Sequence, residues 1–448
     1  MKHRRIRYGG PRPTAIKTPS LDATVDILSL SLDARGVARP DGKTLFVRDA
    51  LPGDRVKVRI EKSDKRFDEG VVSEIISASN QRIEPPCPHY GKCGGCDLQH
   101  LDTTAAVTMK QNEVLAQLER RAKIVPTTID SPLMSALHTG YRRAARVGIN
   151  QRESGELLIG FRRRSSAKLV DIDQCLVLTP GMNQFLQSLR RTLEGFDRVK
   201  HLTQVEMVEG QTGLAVELRA TRPLSDTLSQ KLIELAIEHE ADLWLRIKDG
   251  TDKHLHVRAA ATELEVIGGI TLEYRARDFI QVNADVNDRM ITRVIDWLNP
   301  QSNERVLDLF SGLGNFSLPL AKQVAELTAV EGSKEMVERC LHNAAKNGIE
   351  NLQAHSADLA NPSPDAPWLK EQYDILLLDP PRQGAPEILE HLKHQKARAL
   401  VYVACDPASL VRDAATLIQQ GYQMSRFCVA DMFPQTHHIE SLALFERC

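Results

Sequence analysis

Two apolar runs near the C-terminus stop in the same abrupt way: Leu376-Leu-Leu-Asp379-Pro380-Pro381-Arg382 and Val401-Tyr-Val-Ala-Cys405-Asp406-Pro407. An unbroken apolar run is what a strand buried on both faces requires, and sheets of such strands are parallel and covered by helices. Open sheets of this kind bind ligands beyond the carboxyl ends of their strands. A third strand end lies upstream, in Arg305-Val-Leu-Asp308-Leu-Phe310-Ser-Gly312-Leu-Gly314-Asn315-Phe316. One sheet edge should therefore present a glycine turn, two carboxylates and a cysteine. A thiol beside a nucleotide-type pocket points to nucleophilic catalysis on the substrate that a cofactor serves.

The whole chain sets wider bounds. At 448 residues it should form two or three domains. No apolar stretch approaches membrane-spanning length, so no membrane partner is expected. Met1-Lys-His-Arg-Arg-Ile-Arg contains no apolar signal core, which argues against export and for a cytoplasmic protein. The eight cysteines are then reduced thiols or metal ligands rather than disulfides. Charge is uneven. Residues 1–80 carry 16 Lys and Arg against 11 Asp and Glu, whereas residues 281–448 carry 15 against 22. A basic front on an acidic body fits a polyanion gripped by the front, although a merely solvated basic tail would look the same.

Four segments follow from the pattern. Residues 1–20 read as a disordered basic tail. Residues 21–79 contain about five short β segments, among them the alternating Arg55-Val-Lys57-Val-Arg59-Ile60. That is the pattern of a small OB-like barrel, whose Lys57, Arg59, Lys62, Lys65 and Arg66 would meet a nucleic-acid backbone. Residues 80–280 form a mixed α+β region with a cysteine knot, a helix over 104–122, and arginine clusters at 142–146 and 162–164. Residues 281–448 alternate helix and strand, the signature of a doubly wound parallel sheet of the Rossmann-like α/β class.

The pocket on that sheet can be read in part. Glu331 ends the second strand 23 residues after Asp308, where a carboxylate commonly holds ribose hydroxyls. Asp358 follows a third strand and could meet an adenine edge. A dinucleotide turn would carry a third Gly or Ala where this chain has Ser317, which favours a ligand without pyrophosphate, such as S-adenosylmethionine. An NAD-dependent oxidoreductase remains the rival reading.

Amino-group methyltransferases of nucleic acids follow their two prolines with an aromatic residue; here Arg382 stands there. Cytosine-C5 enzymes carry Pro-Cys; here Ala404 precedes Cys405. Cys405-Asp406-Pro407 together with Phe433-Pro434-Gln-Thr436-His437-His438-Ile-Glu440 resembles the RNA uracil-C5 methyltransferase family. The resemblance implies a Rossmann-like S-adenosylmethionine methyltransferase domain, with Cys405 as nucleophile and Glu440 as general base. It also implies cofactor contacts from Gln281, Phe310, Asn315, Glu331, Asp358 and Asp379. Uracil C5 is a weak nucleophile until a thiolate adds to C6, and a carboxylate must later take the C5 proton. A base inside folded RNA must first be flipped out.

Cys87, Cys93 and Cys96 cluster in Pro-Pro-Cys-Pro-His-Tyr-Gly-Lys-Cys-Gly-Gly-Cys, and Cys175 lies far downstream. One Cys-x2-Cys pair is too few for the usual zinc ribbon, and the spacing is not a ferredoxin's. The family includes members with a four-cysteine [4Fe–4S] pattern like this one, so an iron–sulfur cluster is implied, with zinc as the alternative. A structural or RNA-positioning role is expected, because residue 175 would be tied to residues 87–96. Cys340, Cys428 and Cys448 read as core thiols.

The N-terminal barrel resembles a TRAM domain. Barrel, knot and catalytic domain together resemble the branch of the family acting on 23S ribosomal RNA at uracil 1939, with no obligate protein partner. A dual-site 23S enzyme and a transfer-RNA enzyme are the alternatives within the family. An inactive iron–sulfur RNA-binding protein is the alternative of another class.

Overall fold

The computed structural model describes residues 22–196 and 199–447. The expected basic tail at 1–20 and Cys448 lie outside these residues. The chain divides into two compact units at Arg82 and Ile83.

The first unit is a six-stranded sheet of β1 (Asp22–Asp26), β2 (Ser29–Leu30), β3 (Gly36–Ala38), β4 (Thr44–Arg48), β5 (Arg55–Ser63) and β6 (Phe67–Ser77). Its order is β1-β5-β6-β4-β3-β2. In β5, Val56 and Val58 point into the core while Arg55, Lys57 and Arg59 point out, as the alternation requires. Register shifts at three places along β5 and β6 add local twist and bend the longest pair. The basic face is more balanced than expected. Lys57 pairs with Glu74 at 2.6 Å, Arg59 with Glu61 at 3.5 Å and Lys62 with Glu69 at 3.7 Å.

The second unit opens with the cysteine-rich segment and α1 (Thr103–Gln117), whose N-terminus is capped by the Asp102 side chain. The short β7 (Thr128–Ile129) follows. Next comes a seven-stranded sheet made of β8 (Ala144–Gln151), β9 (Leu157–Arg162), β10 (Leu169–Asp171), β11 (Leu202–Glu209), β12 (Leu214–Ala220), β13 (Ala241–Ile247) and β14 (Asp252–His256). Only β12 and β13 run parallel, and the crossover between them is α3 (Asp226–Glu238). α2 (Pro180–Glu194) and α3 supply Phe185, Leu189 and Leu232 to the core of this sheet.

A hairpin of β15 (Glu263–Val266) and β16 (Ile270–Glu273) leads into α4 (Ala284–Leu298), capped by Asn283. Then come β17 (Arg305–Leu309), α5 (Ser317–Ala321), β18 (Glu326–Glu331), α6 (Lys334–Lys346), β19 (Leu352–Ser356), α7 (Pro367–Lys370), β20 (Ile375–Leu378), α8 (Pro386–Leu392), β21 (Ala399–Ala404) and α9 (Pro407–Gln419). β22 (Tyr422–Ala430) and β23 (Glu440–Arg447) complete the sheet, in the order β19-β18-β17-β20-β21-β23-β22-β7. β17 to β21 are parallel, and β23 inserts antiparallel beside β21. The apolar runs read from the sequence are the interior strands, and Leu376, Leu377, Val401 and Tyr402 are all at most 1% exposed. Among the described residues no helix is long and apolar enough to cross a membrane.

Candidate active site

The carboxyl ends of the parallel strands border a cavity of about 710 Å³. Gln281, Phe310, Asn315, Glu331, Asp379, Cys405 and Glu440 all line it. Of the residues named from the sequence for this pocket, only Asp358 does not. It is exposed just beyond β19, where its carboxylate accepts the Ala360 N–H at 3.0 Å.

The glycine turn is built for close approach. Phe310 sits at φ +64°, an uncommon conformation for an aromatic residue, held by N–H bonds from Phe310 and Ser311 to Val330 O. At Gly314, with φ +100°, a Cβ would fall 2.1 Å from Leu318 Cδ1, so a side chain there would strain the backbone and have to displace Leu318. Glu331 is oriented by two backbone donors, Gly312 N–H at 3.1 Å and Ser333 N–H at 3.0 Å. Each oxygen keeps a lone pair for a ligand hydroxyl. Asn315 exchanges two amide hydrogen bonds with the fully buried Asn287 of α4.

Cys405 and Glu440 come together through strand register. Ala404 of β21 faces Ser441 of β23. The next position outward on each strand is Cys405 and Glu440, so antiparallel pairing carries both to one point of the cavity wall. Burial, then the Glu440 and Asp379 charges, pushes the Cys405 thiol up to about 12, with Arg382 opposing. Burial, then Asp379, raises the Glu440 carboxyl to about 8, again against Arg382. Burial likewise raises Asp379 to about 7. In the free protein the thiol is protonated and the carboxyl is a far stronger base than usual. The arrangement can support addition of a thiol to an electrophilic ring atom and removal of a proton by a neighbouring carboxylate.

Other side chains line this cavity that were not named for it from the sequence. Arg143 is 6% exposed, forms no ion pair within 4 Å among the described residues, and donates from Nε to Gln281 O at 2.9 Å. His438 is held neutral, its pKa lowered to about 4 by burial, then by His437 and Arg382. The sequence singled out Arg143 only as a member of the arginine cluster at 142–146. His438 stood inside the motif that ends at Glu440.

A second cavity, of about 200 Å³, is lined by Cys87, Cys93, Cys96 and Cys175. These are the four thiols singled out from the sequence. Burial raises Cys93, Cys96 and Cys175, Cys96 to about 12, and charges on the neighbouring cysteines add to each shift. Such thiols shed their protons on binding metal. Among the described residues no group of three His, Cys, Asp or Glu side chains is placed to hold a single metal ion. Cys340 and Cys428 are fully buried in the core, and the Cys428 sulfur accepts from Arg293 Nη1 at 3.6 Å.

Comparison with known proteins is consistent along the chain. The sequence profile of the tRNA (uracil-5-)-methyltransferase family matches residues 110–360, a methyltransferase-domain profile matches 300–443, and a TRAM-domain profile matches 23–72. The chain is 41% identical to the 23S rRNA (uracil(1939)-C(5))-methyltransferase RlmD of Pseudomonas aeruginosa, over 98% of this chain and 97% of that one. It is 40% identical to the protein of the same name from Vibrio parahaemolyticus, over 94% and 95%. Among solved structures, the Pyrococcus abyssi tRNA (uracil-54, C5)-methyltransferase in complex with S-adenosyl-L-homocysteine superposes with a TM-score of 0.72. It is 21% identical, and the match covers 94% of this chain and all of that one, a likeness of fold.

Proposed function

This chain belongs to the RNA uracil-C5 methyltransferase family, S-adenosylmethionine-dependent enzymes, and we propose that its substrate is the uridine of 23S ribosomal RNA equivalent to uracil 1939. The relatives so named cover nearly all of both chains, which supports this target over a transfer RNA.

The observation that carries the mechanism is the Cys405–Glu440 pairing on the wall of the cavity that also holds the glycine turn and Glu331. In our reading the flipped uracil enters this cavity, the Cys405 thiol gives up its proton to solvent, and the sulfur adds to C6. The C5–C6 electron pair shifts to C5, which becomes nucleophilic. Bound S-adenosylmethionine supplies an electrophilic methyl group and a positive charge. Glu440 takes the C5 proton, the double bond re-forms, and the cysteine leaves as thiolate. Gln281, Phe310, Asn315, Glu331 and Asp379 would hold the cofactor, and Asp358 would meet it at the outer edge of the sheet.

For the second cavity we propose a [4Fe–4S] cluster held by Cys87, Cys93, Cys96 and Cys175. Four thiols on one cavity support it, since a cubane takes one thiolate per iron. Residues 21–79 would grip RNA, 80–280 would carry the cluster, and 281–448 would transfer the methyl group. A ribosomal RNA substrate places the enzyme in the cytoplasm. Mapping 5-methyluridine in 23S RNA from cells with and without this protein tests the target. Loss of one site supports the reading, loss of two makes the enzyme dual-site, and loss only from transfer RNA overturns it.

A further inference from the structure

Glu440 opens β23, and the turn leading into it, Phe433 to Ile439, is anchored largely from outside the catalytic sheet. Asp97 and Leu98, the two residues after Cys96, both donate their backbone N–H to Gln435 O, at 3.0 and 2.9 Å. Asp97 Oδ2 lies 2.6 Å from His437 Nδ1, and Arg164 Nη2 stands 3.5 Å from the other carboxylate oxygen. Tyr141 donates its hydroxyl to Pro434 O at 3.0 Å. Lys110, buried on α1, donates to His438 O at 3.1 Å and pairs with the buried Asp431 at 3.3 Å. Gln435 itself sits at φ +67°, a conformation that a side-chain-bearing residue holds when its surroundings impose it.

The segment that presents Cys96 to the second cavity is thus the one that grips the turn carrying Phe433 and His438 into the first. Asp97 meets that turn twice, through its backbone N–H and through its carboxylate. A carboxylate–imidazole bond fixes direction as well as distance, and one half-exposed histidine would not otherwise hold its side of the turn.

We propose that Asp97 is a positioning residue for the proton-removal step: it clamps the 433–438 turn through Gln435 and His437 and so sets where Glu440 stands relative to the ring bound to Cys405. The proposal rests on the assignment of Glu440 as base. It separates the step that needs Glu440 from the earlier addition by Cys405, which is held by β21.

The test uses the full-length protein as purified, with iron content measured, and the substitutions Asp97→Asn, which removes the carboxylate charge from this bond, and His437→Ala, which removes the bond itself. Hydrogen exchange in residues 433–440 should quicken roughly tenfold, while that in Ala399–Ala404 stays unchanged. In single turnover with the RNA substrate, both variants should accumulate a thiol-linked RNA adduct on a denaturing gel, as slowed proton removal requires. The KM for S-adenosylmethionine should not move. If Asp97→Asn loses iron, His437→Ala decides. Unchanged exchange in 433–440 overturns the proposal. So does faster exchange with no more adduct than wild type, under conditions where Glu440→Gln accumulates it. If Glu440→Gln itself forms no adduct, the base assignment falls, and the exchange result alone decides whether the clamp exists.

Discussion

Cys405 and Glu440 are neighbours because β21 and β23 are antiparallel and in a fixed register, with Ala404 opposite Ser441. The two residues are 35 positions apart in the chain and arrive from opposite directions. A slip of one residue in that pairing would turn Glu440 to the other face of the sheet and separate base from nucleophile. The site's chemistry is therefore tied to the strand that interrupts the parallel order of the sheet.

Glu440 should cost stability where it is ionised. Its pKa is raised in the folded protein to about 8, so the folded state holds the proton more tightly than the unfolded state does. The stabilising contribution of that proton is complete below the carboxyl's unfolded pKa, declines as pH rises from there, and is gone above about 8. Glu440→Gln should therefore raise the thermal midpoint of the free protein at pH 9, by a gain of roughly 2–5 kcal/mol, and leave it little changed at pH 4. Melting curves at the two pH values check this; equal effects at both would contradict it.

Gly314 offers a steric test of the cofactor turn. At φ +100°, a Cβ on this residue would stand 2.1 Å from Leu318 Cδ1, so Gly314→Ala strains the backbone and displaces Leu318 together. A loss of about 1–3 kcal/mol of stability is expected, with S-adenosylmethionine affinity falling at least tenfold. Calorimetric melting and equilibrium binding measure the two effects.

The interior strands and the glycine turn were legible because their signals are local: Leu376 to Leu378 and Val401 to Ala404 are apolar runs that end in proline and polar residues. Asp379, Cys405 and Glu331 could be named because a strand end fixes where its last side chain lies. Arg143 could not be placed, because its place on the cavity depends on a backbone hydrogen bond to Val282, more than a hundred residues away. The Lys57–Glu74 and Lys62–Glu69 pairs were equally hidden, since they depend on the register of β5 with β6. Non-local pairing escapes a reading built on composition and period.

The four-cysteine cavity predicts a metal dependence. Anaerobically purified protein should contain about four irons per chain. Cys175→Ser should lose them and lower the thermal midpoint, while Cys340→Ala should retain them, since Cys340 lies in the core beside the glycine turn. Metal analysis of the three proteins decides. Stoichiometric zinc without iron in anaerobic, iron-replete preparations would contradict the cluster.

The barrel should contribute to RNA affinity through its cations. Lys65 and Arg66 form no ion pair among the described residues, whereas Lys57, Arg59 and Lys62 each have an acidic neighbour. Neutralising Lys65 and Arg66 should therefore flatten the dependence of log affinity on log salt by about 0.7–0.9 for each phosphate left without its cation. Neutralising the other three should do less, and S-adenosylmethionine affinity should stay unchanged in both variants. Salt titrations of RNA binding test this, and equal slopes in all proteins would move the RNA grip elsewhere.

The most direct test of the mechanism is peptide mapping by mass spectrometry of the RNA adduct formed by Glu440→Gln. The expected species is a methylated uridine joined through C6 to the Cys405 sulfur, accumulating because the C5 proton cannot be removed, and Cys405→Ala should give no adduct at all. Appreciable methyl transfer by Cys405→Ala, or an adduct mapped to another residue, would contradict the mechanism.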